Sequence, residues 1–76
     1  MLFRSLPLSS DDHNELRQIS LSRGLAAGDV LRARMILMLA AGRSYAEIQE
    51  RLQTTAPTIS RWKKRFLEAG VNGLIQ

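Results

Sequence analysis

Residues 44–70 read SYAEIQERLQTTAPTISRWKKRFLEAG, and their pattern decides the fold. Ser44 with Glu47 three residues later has the form of a capping box, in which the serine oxygen takes the Glu47 N–H and the carboxylate returns to the Ser44 N–H. Ile48 and Leu52 then fall one turn apart on one face. Gln53 and Thr54 continue a helix poorly, and Thr55 is a good N-cap for a second one. Pro57 sits in the first turn of that helix, where its missing N–H is no loss. Ile59, Trp62, Phe66 and Ala69 recur at helical spacing, and Gly70 is placed to stop the helix as a left-handed residue. A short helix, a three-residue turn and a longer basic helix are the sequence form of a helix-turn-helix.

The second helix divides into two sides. With Ile59 at zero and about 100° per residue, Trp62, Phe66 and Ala69 share one side with it. Pro57, Ser60, Arg61, Lys64 and Glu68 gather on the other, with Arg65 on the flank and Lys63 near the apolar border. Such a helix buries an aromatic face and presents a cationic one, which is what reading a major groove requires. Thr55, Ala56, Pro57, Thr58, Ser60 and Arg61 are placed to face base edges. Lys63, Lys64 and Arg65 are better placed for phosphates, which orient a protein without reading sequence. Arg43, Ser44 and Tyr45 stand at the start of the first helix, where backbone N–H groups suit a phosphate oxygen.

Working outward, Gly42-Arg43 allows only a sharp change of direction before Ser44. Upstream, a helix from about Ala27 to Ala41 carries Val30, Leu31, Met35, Ile36, Leu37, Met38 and Leu39, apolar nearly all round its C-terminal half. Burial on several sides is expected of it, as the central strut, with Arg32 and Arg34 marking its solvent side. A dimer contact on one of its faces is the alternative. An earlier helix is capped by Ser9 or Ser10, with Asp11, Asp12 and Glu15 set against its dipole. Leu16 and Ile19 form its apolar stripe, Gly24 its stop, and Leu25 is placed to fold back on Ile19. Residues 1–8 read as an extended arm in which Leu6 and Leu8 can pack on the bundle and Arg4 can reach a minor groove, against the plainer reading of a frayed terminus. The expectation is an all-α, homeodomain-like bundle of about four helices. Its divisions are an arm (1–8), a helix-turn-helix domain (9–70) and an irregular tail (71–76), with Val71 packing back on Phe66. Trp62 and Phe66 should be its largest core side chains.

Seventy-six residues allow one small domain. Of the net charge of +4, residues 61–76 supply +3 (Arg61, Lys63, Lys64 and Arg65 against Glu68), so the excess sits on one helix, as a nucleic-acid footprint would. With no cysteine and one histidine, neither a disulfide framework nor a thiolate or histidine metal site can be built, and no cofactor is expected. Arg4 and Pro7 break the N-terminal apolar run, so it lacks signal-peptide form. Met35 to Ala41 is far shorter than the ~20 residues of a membrane span. No nucleophile–base pair, phosphate loop or metal cluster appears.

Several stretches together resemble one family. They are Gly42-Arg43-Ser44-Tyr45-Ala46-Glu47-Ile48 with Leu52, Thr58-Ile59-Ser60-Arg61-Trp62, and Arg65-Phe66-Leu67-Glu68-Ala69-Gly70-Val71-Asn72-Gly73-Leu74. Leu8-Ser9 before an acidic helix start and Arg32-Ala33-Arg34 before Ile36-Leu37 add to them. The chain is similar over nearly its whole length to the N-terminal DNA-binding region of bacterial insertion-sequence transposases of the mariner-related superfamily. The trailing G-x-x-G-L after R-F is its most specific part. Gln49, Gln53 and Thr54 depart from the pattern, standing where an alanine, a turn glycine and a small apolar residue are usual. The resemblance implies recognition of a transposon's terminal inverted repeats in the bacterial cytoplasm, at the nucleoid. Double-stranded DNA would be the partner, and a separate catalytic domain with three acidic metal ligands would follow Gln76. A small transcriptional regulator acting as a homodimer, or a helical protein-interaction module, are the alternative readings of the same residues.

Overall fold

The computed structural model describes Leu6 and residues 8–75. The minor-groove role considered for Arg4, and most of the arm, lie outside those residues. Helices α1 (Ser10–Ser20), α2 (Ala27–Ala40), α3 (Tyr45–Leu52) and α4 (Ala56–Ala69) are followed by a single 3-10 turn, Gly70–Gly73, and the described residues contain no strand. The all-α, four-helix expectation stands.

Each boundary has a local cause. Ser9 caps α1, its Oγ accepting from the Asp12 N–H at 3.1 Å. That helix ends at Ser20 rather than running on to Gly24, and Leu21 and Leu25 are exposed at 71% and 42%. Leu25 therefore does not close over Ile19 as expected. At the end of α2, Gly42 adopts φ 86°, the Gly42 N–H reaches Leu39 O and the Arg43 N–H reaches Met38 O, both at 3.0 Å. These paired bonds make a Schellman stop, which favours a residue without a side chain. Pro57 lies in the first turn of α4.

The core is made by Leu16 and Ile19 of α1, Ala33, Met35, Ile36 and Leu39 of α2, Ile48 of α3, and Ile59 and Phe66 of α4. Leu6 joins it, its N–H directed at Leu39 O (3.4 Å), so this part of the arm is held on the bundle. Helix α2 packs against α1, α3 and α4, which makes it the strut expected. It is not buried all round, however. Val30, Leu31, Leu37 and Met38 stay half-exposed, although Leu37 and Met38 also pack against the core's edge.

Three expectations at the C-terminal end change. Residues 70–73 form a 3-10 turn instead of an irregular tail, and Val71 (5% exposed) and Leu74 (1%) belong to the core. Ala69, expected on the buried stripe, is exposed, because the chain turns there and Val71 and Leu74 fill that side. Trp62 is half-buried rather than central: it packs on the core's edge with Arg32 4.2 Å and Arg65 5.4 Å from its ring centroid. A ring in that place gains from two cations over its π-face as well as from area removed from water.

Candidate nucleic-acid interface

The joint between α3 and α4 sets the direction of the outward face. Ser44 Oγ accepts from the Glu47 N–H at 3.1 Å, the first half of the capping box. The second half is absent. Glu47 Oε2 instead holds Arg43 Nη1 at 3.1 Å and Arg51 Nε at 3.3 Å, since two guanidinium groups, one just before the helix and one a turn further along it, offer a carboxylate more than one backbone N–H does.

At the turn, Gln53 takes φ 54°, ψ 48°, the left-handed conformation, and among the described residues it is the single non-glycine with positive φ. The Thr54 N–H then closes on Gln49 O at 3.2 Å, the same six-residue closure as at Gly42. A side chain with a Cβ is disfavoured here by steric crowding against the following carbonyl. The Gln53 side chain returns part of that cost by donating from Nε2 to Glu50 O at 2.9 Å. The departure from a turn glycine therefore leaves the turn intact. Thr55 is the N-cap of α4 by backbone, but its hydroxyl does not cap: it pairs with Thr58 Oγ1 at 2.9 Å.

On α4 the two-sided pattern is realised. Ile59 is fully buried and Phe66 is 6% exposed, while Thr55, Pro57, Ser60, Arg61, Lys64, Arg65 and Glu68 are exposed. Ala56, Thr58 and Lys63 are half-exposed. Ser60 Oγ and Tyr45 Oη approach to 3.4 Å across the joint, which brings the start of α3 beside the start of α4. Arg43, Ser44, Tyr45, Thr55, Ala56, Pro57, Thr58, Ser60 and Arg61 thus stand around the joint and the first half of α4. Lys63 and Lys64 follow one turn further on.

Arg65 is drawn away from that surface. Its Nε donates to Gly73 O at 3.0 Å, and the guanidinium leans toward Trp62. Arg32, expected in solvent, does the same from α2: Nη1 donates to Leu74 O (3.1 Å) and pairs with Asp29 Oδ1 (3.0 Å). Gly73 is enclosed by this arrangement, since a Cβ there would come within 2.7 Å of Arg65 O. The sequence signal for this lock was the R-F…G-x-x-G-L run; nothing in helical periodicity pointed to Arg32. Among the described residues no group of three or more His, Cys, Asp or Glu side chains is placed to hold a metal ion, and no helix is long and apolar enough to cross a membrane.

Two helices meeting through a tight turn, the second exposing cations along its outer side, define a helix-turn-helix protein of the DNA-binding type. Residues 27–75 match the family described as a homeodomain-like domain, and the chain belongs to that family. No curated protein and no solved structure shows significant similarity to the chain.

Proposed function

We propose that this chain is a sequence-specific, double-stranded-DNA-binding module that lays α4 in the major groove. One observation carries the reading: the outer side of a helix anchored by Ile59 and Phe66 carries Ser60, Arg61 and Lys64 in the open, beside the α3 start. Arg61 lies in the second turn of α4, in the N-terminal half that reaches base edges, and its fork suits the O6 and N7 of guanine. Thr55, Ala56, Pro57, Thr58 and Ser60 complete the base-facing set, and the Thr58 methyl and Ala56 suit a thymine methyl. Lys63 and Lys64 take phosphates, with Arg43, Ser44 and Tyr45 adding contacts at the start of α3.

The resemblance to insertion-sequence transposases supports a finer reading, in which the target is the terminal inverted repeat of a mobile element and a catalytic domain acts with this one. Selection of binding sites from random duplexes at physiological salt tests both levels. The expected product is one asymmetric sequence family, matching an inverted-repeat end and bound with a log K against log salt slope of about −3. A selected palindrome bound by two copies would replace the transposon reading with a regulator. Failure to enrich any sequence, together with salt-insensitive behaviour, would overturn DNA recognition itself.

A further inference from the structure

The outer face of α2 is more apolar than a solvated surface requires. With Arg34 as reference and about 100° per residue, Val30, Leu31, Leu37 and Met38 lie within about 60° of it on either side. Of the residues that build the core, Ile36 and Leu39 point the other way, and Ala33 and Met35 flank the strip on its two sides. Two shallow grooves continue one another along this face and meet at Arg34. One is lined by Ser22, Leu25, Ala27, Val30, Leu31 and Arg34, and the other by Arg34, Leu37, Met38, Arg51 and Leu52. No residue of α4 lines either groove. The strip therefore runs from exposed Leu25 to half-exposed Leu52 on surfaces that the DNA reading leaves unused.

We propose that this strip is a docking groove for an acidic amphipathic helix of a partner protein. Charge complementarity selects that occupant. Arg34 is exposed at the middle of the strip and makes no ion pair among the described residues. Arg51 stands at the far rim, and its carboxylate partner, Glu47, is shared with Arg43. An apolar ridge at i, i+3, i+4 and i+7 fills such a groove, and flanking Asp or Glu side chains meet the two cations. A second copy of this chain is a poorer occupant. Two α2 helices crossing about their midpoints bring Arg34 against its own copy, and like charges set face to face at an interface are strongly unfavourable. Nucleic acid is poorer still, because phosphates gain nothing from Leu25, Val30, Leu31, Leu37 and Met38.

The test displays a library of amphipathic helical peptides, apolar at i, i+3, i+4 and i+7 and randomised elsewhere, and selects it on the whole chain. Enriched peptides should carry Asp or Glu beside the ridge and shift the methyl resonances of Leu37, Met38 and Leu52. Arg34→Glu sits on the surface and keeps the fold, which its amide spectrum verifies. It should weaken the enriched peptides about tenfold or more and restore binding to peptides whose acids are replaced by lysine. Enrichment without acidic bias, or affinity unchanged by Arg34→Glu, overturns the proposal. So does concentration-dependent dimerisation that Met38→Glu abolishes, which would give the face to a second copy. Loss of DNA retention in Arg34→Glu with no peptide selected would give it to nucleic acid instead.

Discussion

Two pairs of cations, Arg61 with Lys64 and Arg65 with Arg32, point in opposite directions. Arg61 and Lys64 extend from the outer side of α4. Arg65, on the same helix, and Arg32, on α2, turn inward to the carbonyls of Gly73 and Leu74 and to the ring of Trp62. The first group spends its charge on the surroundings, the second on holding the chain's last turn against the bundle. What separates them is neither residue type nor spacing but the presence of carbonyl acceptors and an aromatic face within reach. Cationic residues on one helix are therefore not interchangeable, and counting them overstates how many side chains are free to reach a ligand.

The comparison breaks first at Leu74. Leu74→Ala should cost about 2–5 kcal/mol in urea unfolding, a large part of the stability of so small a domain. Leu67→Ala, at a site 59% exposed, should stay within about 0.5 kcal/mol. Equal, small effects would mean that the last turn is decoration rather than core. Gly73→Ala comes next, since its new methyl meets the Arg65 carbonyl; crowding of this kind costs about 1–3 kcal/mol, read as a lowered thermal midpoint. An unshifted midpoint would show that the turn stands further from α4 than described.

A finer cut compares two arginines. Arg65→Ala should lose about 1 kcal/mol of stability, the worth of a charge-assisted bond to Gly73 discounted for its exposure. Arg61→Ala should lose less than about 0.5 kcal/mol. If the thermal midpoints rank the other way, the assignment of inward and outward cations is reversed. A small effect of opposite sign belongs to the turn: Gln53→Gly relieves a left-handed side chain and should gain about 0.5 kcal/mol, net of the added chain entropy of glycine. A destabilised variant would mean that the Gln53 bond to Glu50 outweighs the strain.

Much of this was legible in the sequence for a physical reason. Caps, stops and apolar periods are local, so Ser9, Ser44, Pro57, Gly42 and the Ile59–Phe66 stripe announce the helices and the outward side of α4. What the sequence hid depends on contacts between distant residues. Arg32 reads as a solvent cation until Leu74, 42 residues later, presents its carbonyl. Trp62 reads as core because its spacing is right, yet Val71 and Leu74 take the interior and leave the ring at the edge. The tail gave no helical period because a single 3-10 turn is too short to show one. Its G-x-x-G-L run reads in sequence as a family mark, and its chemistry is structural: Gly70 at φ 68°, Gly73 without room for a Cβ, Leu74 buried. In sequence the outer face of α2 offers only a dimer contact; the exposed Arg34 at its centre favours another partner.

The most direct test of the central claim titrates Arg61→Ala, Lys64→Ala and the unaltered chain on the selected duplex and on a random one, at two salt concentrations. Each protein is first shown to be folded. Arg61→Ala should lose about 1–3 kcal/mol on the selected site alone and relax the preference at one base pair. Lys64→Ala should weaken both duplexes alike and reduce the salt slope by about one. Equal losses on both duplexes for Arg61→Ala, or no loss for either variant, would contradict the account: α4 would then hold DNA without reading it, or would not meet DNA at all.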